Sequence, residues 1–510
     1  MNWRNKMSKT PNLNLLLTPE DDTSTTFKAW RVAMNGEDEN SNMAKIDEAY
    51  GALNDQTQRI QSKVNTVSDK VFGEAPTTWA DVQTIVRNGA AAQYFDIGDQ
   101  FIVEKLSAVT ASKGTSTGIT AVTVNADTFV AGCGEVHAGE YVFAYDGKSW
   151  RNENGKTVKF ANYGISVTGT AVTGDHVIIT ETTTQYAFDI IGIDHDTPAD
   201  PSRKHSMTLQ MHDLWPTAMV YDSPEATWYI DAETYPAGLE AGTYYFVLPS
   251  GYDNAYGGGS TLNFTLANPV PVGGQVRFAW GYQVQANTCK ISTYASVGAA
   301  SAIETVTVAE GEAGIAMPTL HATSVTENTN CVHRIRYGSN NWAESGLRQW
   351  LNTDAEANTW WEPKTVFDRP TNASTAGFLK GLDPAFLDVI GEVTKTTQQS
   401  ISDGYGLDAS TERFFLLSRP EIYAGTERSA DGADGKVYAY YGAGYSDLAS
   451  PGTGADSNRI KYRSGSATYW WVRTPDSTDG CGVRSVNPTG YLGSYYASNS
   501  LGVTPACVIV

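Results

Sequence analysis

The sequence predicts an α+β fold in which short strands outnumber helices. Three observations carry that expectation. Runs rich in Thr, Val, Tyr and Phe, such as VTVNADTFVAG, EYVFAYDGKSW and DHVIITETT, alternate with Gly, Asn and Asp turns through residues 106–184, and similar runs return through 217–300. Only a few short segments carry a helical period, at 79–86, 342–351 and 383–393. One stretch near the N-terminus repeats every seven residues, which is the signature of a coiled coil.

Composition bounds the rest. The chain has 510 residues, 56 Asp and Glu against 36 Lys and Arg, and a net charge of −20. At ~150 residues per domain that length makes roughly three or four domains. An acidic chain of this kind repels phosphate backbones, so nucleic acid is not an expected partner. No run approaches the ~20 apolar residues of a membrane helix, so no membrane insertion is expected. The only apolar run near the start, Leu15–Leu17, is too short for a secretory signal, and synthesis in a cytoplasm without export by that route is expected. The five cysteines form no C-x-x-C pair, which excludes a dense disulfide framework and the common zinc knuckles. Cys481 and Cys507 both lie near the C-terminus and one bridge between them is conceivable, but free buried thiols are the simpler expectation. Gly (48), Tyr (27) and Trp (13) beside few charges form a palette shared by adaptable recognition surfaces and loop-rich β proteins.

Element by element, residues 23–35 read as a short helix with Phe27, Trp30 and Met34 on one face, stopped by Gly36. Met43, Ile46, Tyr50, Leu53, Thr57, Ile60, Val64, Val67 and Val71 then come at spacings of 3 and 4 in strict alternation. That pattern predicts a left-handed coiled coil of about four heptads. β-Branched residues at both core positions near its end, Ile60, Val64, Val67 and Val71, favour a homotrimer over a dimer.

After a helix with Trp79, Val82, Ile85 and Val86 on one face, strands are expected over 94–97 and 101–103. Asp146-Gly147 marks a hairpin turn inside the small β domain of 106–184. Asp194, His195, Asp196, Asp200, His205, His212 and Asp213 crowd one stretch, yet none pair at a diagnostic spacing on one helix face. They are expected to cap backbone groups, with no metal. Gly257–Gly259 lacks the Lys-Ser/Thr and the helix of a phosphate loop. In the last third, Asn340 or Asn341 is expected to cap a helix burying Trp342, Gly346, Leu347, Trp350 and Leu351. Asp383 and Pro384 begin a second helix with Phe386, Leu387, Ile390 and Val393 inward. FFLLS, YWWVR and the ending GVTPACVIV read as strands.

Several of these blocks carry a resemblance. HRIRYGSNNWAESGLRQWLNTDA, FFLLSRPEIYAG, GADSNRIKYRSGSATYWWVRTP and GVTPACVIV resemble tail-fibre-type proteins of gut bacteriophages and prophages. FDIIGIDHDTPADPSRKHSMTLQMHDLWP and LPSGYDNAYGGG look like the same family, and TTFKAWRVAMNGEDENSNMAKIDEAYG resembles the starts of phage fibres and adhesins. The resemblance spans 25–60, 79–104 and 186–510, and leaves out 106–184. It implies a C-terminal domain with a C-type-lectin fold, similar to the variable proteins of diversity-generating retroelements. The expected organisation is then a virion-attachment segment at 1–40, a trimeric coiled coil at 41–73, a central β-rich domain at 74–105 and 185–260, an inserted small β domain at 106–184, and a lectin-like receptor-binding domain at 261–510. The implied partners are a bacterial host surface receptor, glycan or protein, and other tail or baseplate proteins through the N-terminus. The implied location is the virion, acting at the host cell surface.

Between Thr474 and Gly502, polar residues alternate with tyrosines, and Val483, Val486 and Leu492 are spaced as anchors. Asp476, Asp479, Gly482, Ser485, Asn487, Tyr491, Ser494, Tyr495, Tyr496, Ser498 and Asn499 are therefore expected to face solvent as the ligand-binding surface. Tyrosine supplies contact area with a polar tip at low entropic cost, and Ser and Asn supply adaptable hydrogen bonds. An enzyme is not expected and no cofactor is implied. The single G-x-S-x-G match, at 114–118, sits between β runs and not on a strand-to-helix elbow. The alternatives are a tail-associated glycan depolymerase, which needs a carboxylate pair, and a non-catalytic structural fibre.

Overall fold

The computed structural model describes residues 49, 51–53, 56–57, 76–124, 138–222, 225–247, 261–279, 289–296, 299, 301–318, 334, 337–360, 374–423, 434–442 and 454–510. The chain divides into two compact units, Met1–Thr77 and Thr78–Val510. In the first, Ala49, Gly51–Leu53, Gln56 and Thr57 are helical. The Thr57 hydroxyl donates to the Leu53 carbonyl at 2.9 Å, and the Leu53 side chain is 60% exposed. Met43, Ile46, Tyr50, Ile60, Val64, Val67 and Val71 lie outside the described residues, as does the helix expected at 23–35.

The second unit is β-rich with short helices, the α+β class that the strand runs predict. It opens on the Trp79–Arg87 helix. Thr78 and Asp81 close a capping box at its start, and Val82, Ile85 and Val86 are buried. Ala91–Tyr94 is helical, so the strand expected from residue 94 is displaced and begins at Gln100. Ala91, Ala92 and Gln93 are strong helix formers, and their preference wins locally.

Two long antiparallel strands organise the next part of the chain. Gln100–Lys113 runs beside His176–Ile193 from the Gln100/Asp189 pair to the Lys113/Val177 pair, with a bulge between Leu106 and Ala108. One end of this ribbon lies in the main core, through Val103 and Phe188. The other end lies in a separate small core of Val109, Ile119, Phe143, Phe160, Val177 and Ile179. Residues 106–184 thus grow out of the body on two continuous strands. The Asp146-Gly147 hairpin forms as expected, with Asp146 accepting from the backbone of Lys148 and Ser149. Residues 114–118 turn from one strand directly into another, Ile119–Val124, and not into a helix. Asp175 accepts from the backbone amides of Thr117, Ile119 and Val172 at 2.7, 3.0 and 3.1 Å, which holds that turn closed.

Residues 225–318 supply a second separate core. Two four-stranded sheets, one containing Gln275–Ala279 and the other Gly242–Val247, enclose Trp228, Phe246, Phe264 and Phe278.

The main core is assembled from both ends of the second unit. Its sheet runs Ile390–Gly391, Ala506–Ile509, Met207–Met211, His176–Ile193 and on into the outgrowth. The C-terminal strand therefore lies between two strands far from it in sequence, with Cys507 opposite Leu209 and Ile509 opposite Ile390. Residues 185–222 share this core with Trp342, Trp350, Phe386, Trp470 and Val510, so hydrophobic burial joins them to the C-terminal third and not to the 225–318 sandwich. The first C-terminal helix spans Gly346–Leu351. Ser345 caps it by accepting from the Arg348 amide, a later start than the expected Asn340 or Asn341. Asn341 instead accepts from the Ala343 amide in a turn before the helix. The second begins at Pro384 under the Asp383 cap as expected but ends at Val389, and Ile390 and Val393 are buried from strands. Cys289, Cys481 and Cys507 are free and buried. Among the described residues no helix is long and apolar enough to cross a membrane.

Candidate functional site

The predicted recognition segment folds as two strands of a three-stranded antiparallel sheet, Trp470–Pro475, Gly482–Val486 and Leu492–Tyr496. The first strand is entirely buried. Trp470 and Trp471 donate their indole N–H groups to the carbonyls of Arg459 and Met219, each at 2.9 Å. Val483 and Val486 are buried and Leu492 packs against the same core, so the three expected anchors do anchor the hairpin.

The polar residues then separate into two groups. Asp479 accepts from the Cys481 and Gly482 amides, and Asp476 accepts from the backbone and hydroxyl of Thr478 and pairs with Arg484 at 3.1 Å. Asn487 accepts from the Thr489 and Tyr491 amides, both at 2.9 Å. These three side chains shape the turns at either end of the second strand. Gly482 and Ser485 are buried, which corrects the expectation that they face solvent. Both sit on the central strand of the three: Ser485 lies between Trp471 and Gly493, and Gly482, opposite Tyr496, is covered by the Asp476 and Asp479 side chains. Tyr491 and Ser498 are half-buried, and Ser494, Tyr495, Tyr496 and Asn499 are exposed.

Tyr495 and Tyr496 are 36% and 42% exposed, and each is backed by a second tyrosine. Tyr337 stacks on Tyr496 with ring centroids 4.0 Å apart, and Tyr469 meets Tyr495 edge-on at 5.0 Å. Successive residues of a strand point to opposite faces, so the two pairs flank the edge strand on both sides. A hydrogen bond with the Tyr469 hydroxyl, and then desolvation, raises the Tyr495 phenol above its ordinary pKa. Tyr337 and Tyr469 were not singled out from the sequence. Tyr337 lies in the HRIRYGSNN block, but only the fold brings it to Tyr496.

The turn is supported from beneath. Buried Asn340 donates through Nδ2 to the carbonyls of Asp479 and Gly482, both at 2.9 Å, and to that of Asp476 at 3.4 Å. Buried Arg334 donates to the Gly480 carbonyl and pairs with Asp403 at 2.6 Å.

A second cluster lies in the same core. Lys395 donates to Glu421 at 2.9 Å and to the Tyr438 hydroxyl at 3.0 Å, and pairs with Asp196. Arg473 pairs with the other oxygen of Glu421 at 2.5 Å, reaches the oxygen met by Lys395 at 3.2 Å, and also donates to Thr397 and to the carbonyls of Leu416, Thr396 and Asp434. Burial alone would push the Glu421 carboxyl up, but Arg473 and then Lys395 outweigh it and hold it at about 2. A cavity of about 210 Å³ opens beside this network, lined by His195, Thr394 and Lys436 as well. The three protons of Lys395 meet three acceptors within the protein, so the network serves to tie the 196, 395, 421 and 473 segments together.

Four further members of the Asp/His cluster, Asp194, Asp200, His205 and His212, have partners within the protein. Asp194 accepts from the Ser206 amide and meets His205, Asp200 accepts from the Ser202 amide, and His212 meets buried Asp189 at 2.8 Å. Among the described residues no three His, Cys, Asp or Glu gather as a metal site.

Residues 319–510 match the model of a domain of unknown function (DUF6273). No curated protein and no solved structure matches the chain. The matched segment holds the hairpin, Lys395, Glu421 and Arg473. The core it completes also needs Phe188, Leu209 and Tyr221, which lie before it.

Proposed function

We propose that this chain is a phage tail-fibre-type adhesin that binds a bacterial host surface receptor through its C-terminal, lectin-like region. The observation that carries the reading is the exposure of Tyr495 and Tyr496 on an edge strand, each ring held by a second tyrosine. Rigid aromatic area flanked by Ser494, Ser498 and Asn499 is the chemistry of a recognition surface, because little side-chain entropy is lost on contact. The family resemblance of the surrounding blocks supports the same reading. In this proposal Asp476, Asp479 and Asn487 set loop shape, and contact falls to the residues from Tyr491 to Asn499.

The heptads from Met43 to Val71 would form a homotrimeric coiled coil, with the N-terminus docking on tail or baseplate proteins. Three weak sites on one fibre bind a cell surface far more tightly than one. The test is cell binding by the labelled full-length chain, with the supernatant assayed for released saccharide. Binding that falls at least about tenfold in Tyr495→Ala and Tyr496→Ala, with each variant still folded by its near-ultraviolet spectrum, is the expected result. Wild-type binding by both variants defeats the assignment of the site, and released saccharide redirects the search to a depolymerase.

A further inference from the structure

We infer that a second pocket, lined by no residue of the 476–499 hairpin, binds a carboxylated pyranose unit such as a uronic acid. It opens where the Gln100–Lys113 strand leaves the main core, has a volume of about 210 Å³, and is lined chiefly by Lys105, Ser107, Trp215, Ala376, Gly377 and Lys380, whose ammonium is already paired with Glu356. That is below the range of about 300–1,000 Å³ that holds a drug-sized ligand, the scale of one sugar ring and not of a larger cofactor.

The pocket is built on rigid parts. Trp215 is held by Tyr186 stacked at 5.2 Å and by edge contacts with Trp350 and Phe378 at 5.7 and 5.3 Å. The opposite wall is pinned: the amides of Gly377, Phe378 and Leu379 donate to the carbonyls of Ala355, Trp350 and Thr353, and the Leu106 amide donates to Gly381. Gly377 is required there, because a Cβ would stand 2.1 Å from the Thr353 carbonyl. The bulge between Leu106 and Ala108 falls at Ser107, on the rim.

The lining names the ligand. An indole wall suits the C–H face of a pyranose, whose partial positive charge meets the negative ring face. The Lys105 ammonium lies 5.8 Å from the Trp215 ring centre. It donates to the carbonyls of Phe378 and Lys380, two acceptors for three protons. Burial, and then Lys380, lower this ammonium to about 8. An anion in the pocket relieves that cost, so the site selects a carboxylate within a chain that is acidic as a whole.

The inference extends the adhesin reading to an acidic saccharide of the cell envelope, and the two are tested separately. The experiment is saturation-transfer NMR and calorimetric titration of the full-length protein with glucuronate and, in parallel, with glucose. Glucuronate is expected to bind at least about tenfold tighter below pH 8, the usual margin of a charge-assisted hydrogen bond. That margin should shrink as pH rises through 8, where Lys105 loses its proton. Lys105→Met should level the two sugars, and Ala376→Phe, which fills the cavity, should abolish both. Equal binding of the two sugars by the wild type, no binding of glucuronate, or glucuronate binding that survives in folded Ala376→Phe overturns the inference. The wild-type comparison decides even where a variant fails to fold. Cell binding lost in Tyr496→Ala while glucuronate binding persists separates the hairpin from the pocket.

Discussion

Tyr337 lies flat on Tyr496, with ring centroids 4.0 Å apart and planes 15° from parallel. The Ser498 amide donates to the Tyr337 carbonyl at 2.8 Å, so backbone and ring fasten the same two segments. Aromatic pairs of this kind are worth about 0.5–1.5 kcal/mol beyond their buried area. Denaturant unfolding of Tyr337→Ala, Tyr496→Ala and the double variant should therefore be non-additive, the double losing less than the sum. Strict additivity would show that the stack contributes nothing to stability.

Asn340 donates one amide group to three carbonyls of the 476–482 turn. Asn340→Ala leaves those carbonyls without this donor, at a cost of roughly 1–3 kcal/mol for buried groups. The expected outcome is a lower melting temperature together with weaker cell binding. Asn499→Ala, at an exposed position of the same proposed contact surface, should weaken binding with a stability change within about 0.5 kcal/mol. That contrast distinguishes a residue that shapes the hairpin from one that makes contact.

Glu421 receives Arg473 on both oxygens and Lys395 on one of them. Removing one partner of a buried ion pair costs about 3–5 kcal/mol, so Arg473→Met should sharply lower the unfolding midpoint or prevent soluble expression. The depressed carboxyl sets a pH dependence. Folding favours the ionised form, so Glu421's contribution is fully present above its unfolded pKa, about 4.5, and is lost as pH falls towards about 2. Acid unfolding of the wild type should show this loss between those limits. An acid limb of the same steepness in folded Glu421→Gln would assign it to other carboxylates.

The heptad from Met43 to Val71 predicts three chains per particle. Light scattering of the intact protein should return about three times the 55.1 kDa chain mass. Val64→Asp with Val67→Asp, which charges two core positions, should return one chain mass without changing the near-ultraviolet spectrum set by the buried tryptophans. A monomeric wild type would remove the trivalent part of the proposal.

Local periodicity made much of the second unit legible. The 79–86 helix face, the Asp383-Pro384 helix start, the Asp146-Gly147 turn, the Val483 and Val486 anchors and the terminal apolar strand each depend on residues a few positions apart. An element that rests one face on a core buries residues at a period of 2 or 3.6, and one covered on both faces, like Ala506–Ile509, is a continuous apolar run, so such features are written in the chain itself. The tertiary structure alone decided that Ala506–Ile509 enters between Met207–Met211 and Ile390–Gly391, that Tyr337 meets Tyr496, and that Lys105, Trp215 and Gly377 wall one pocket. It also decided that Asp476, Asp479 and Asn487 turn back on their own backbone, since an acceptor's choice between solvent and a nearby N–H depends on the local dihedrals. Pairing across hundreds of residues leaves no periodic trace, because sheet register is chosen by the packing of whole faces and not by either strand alone.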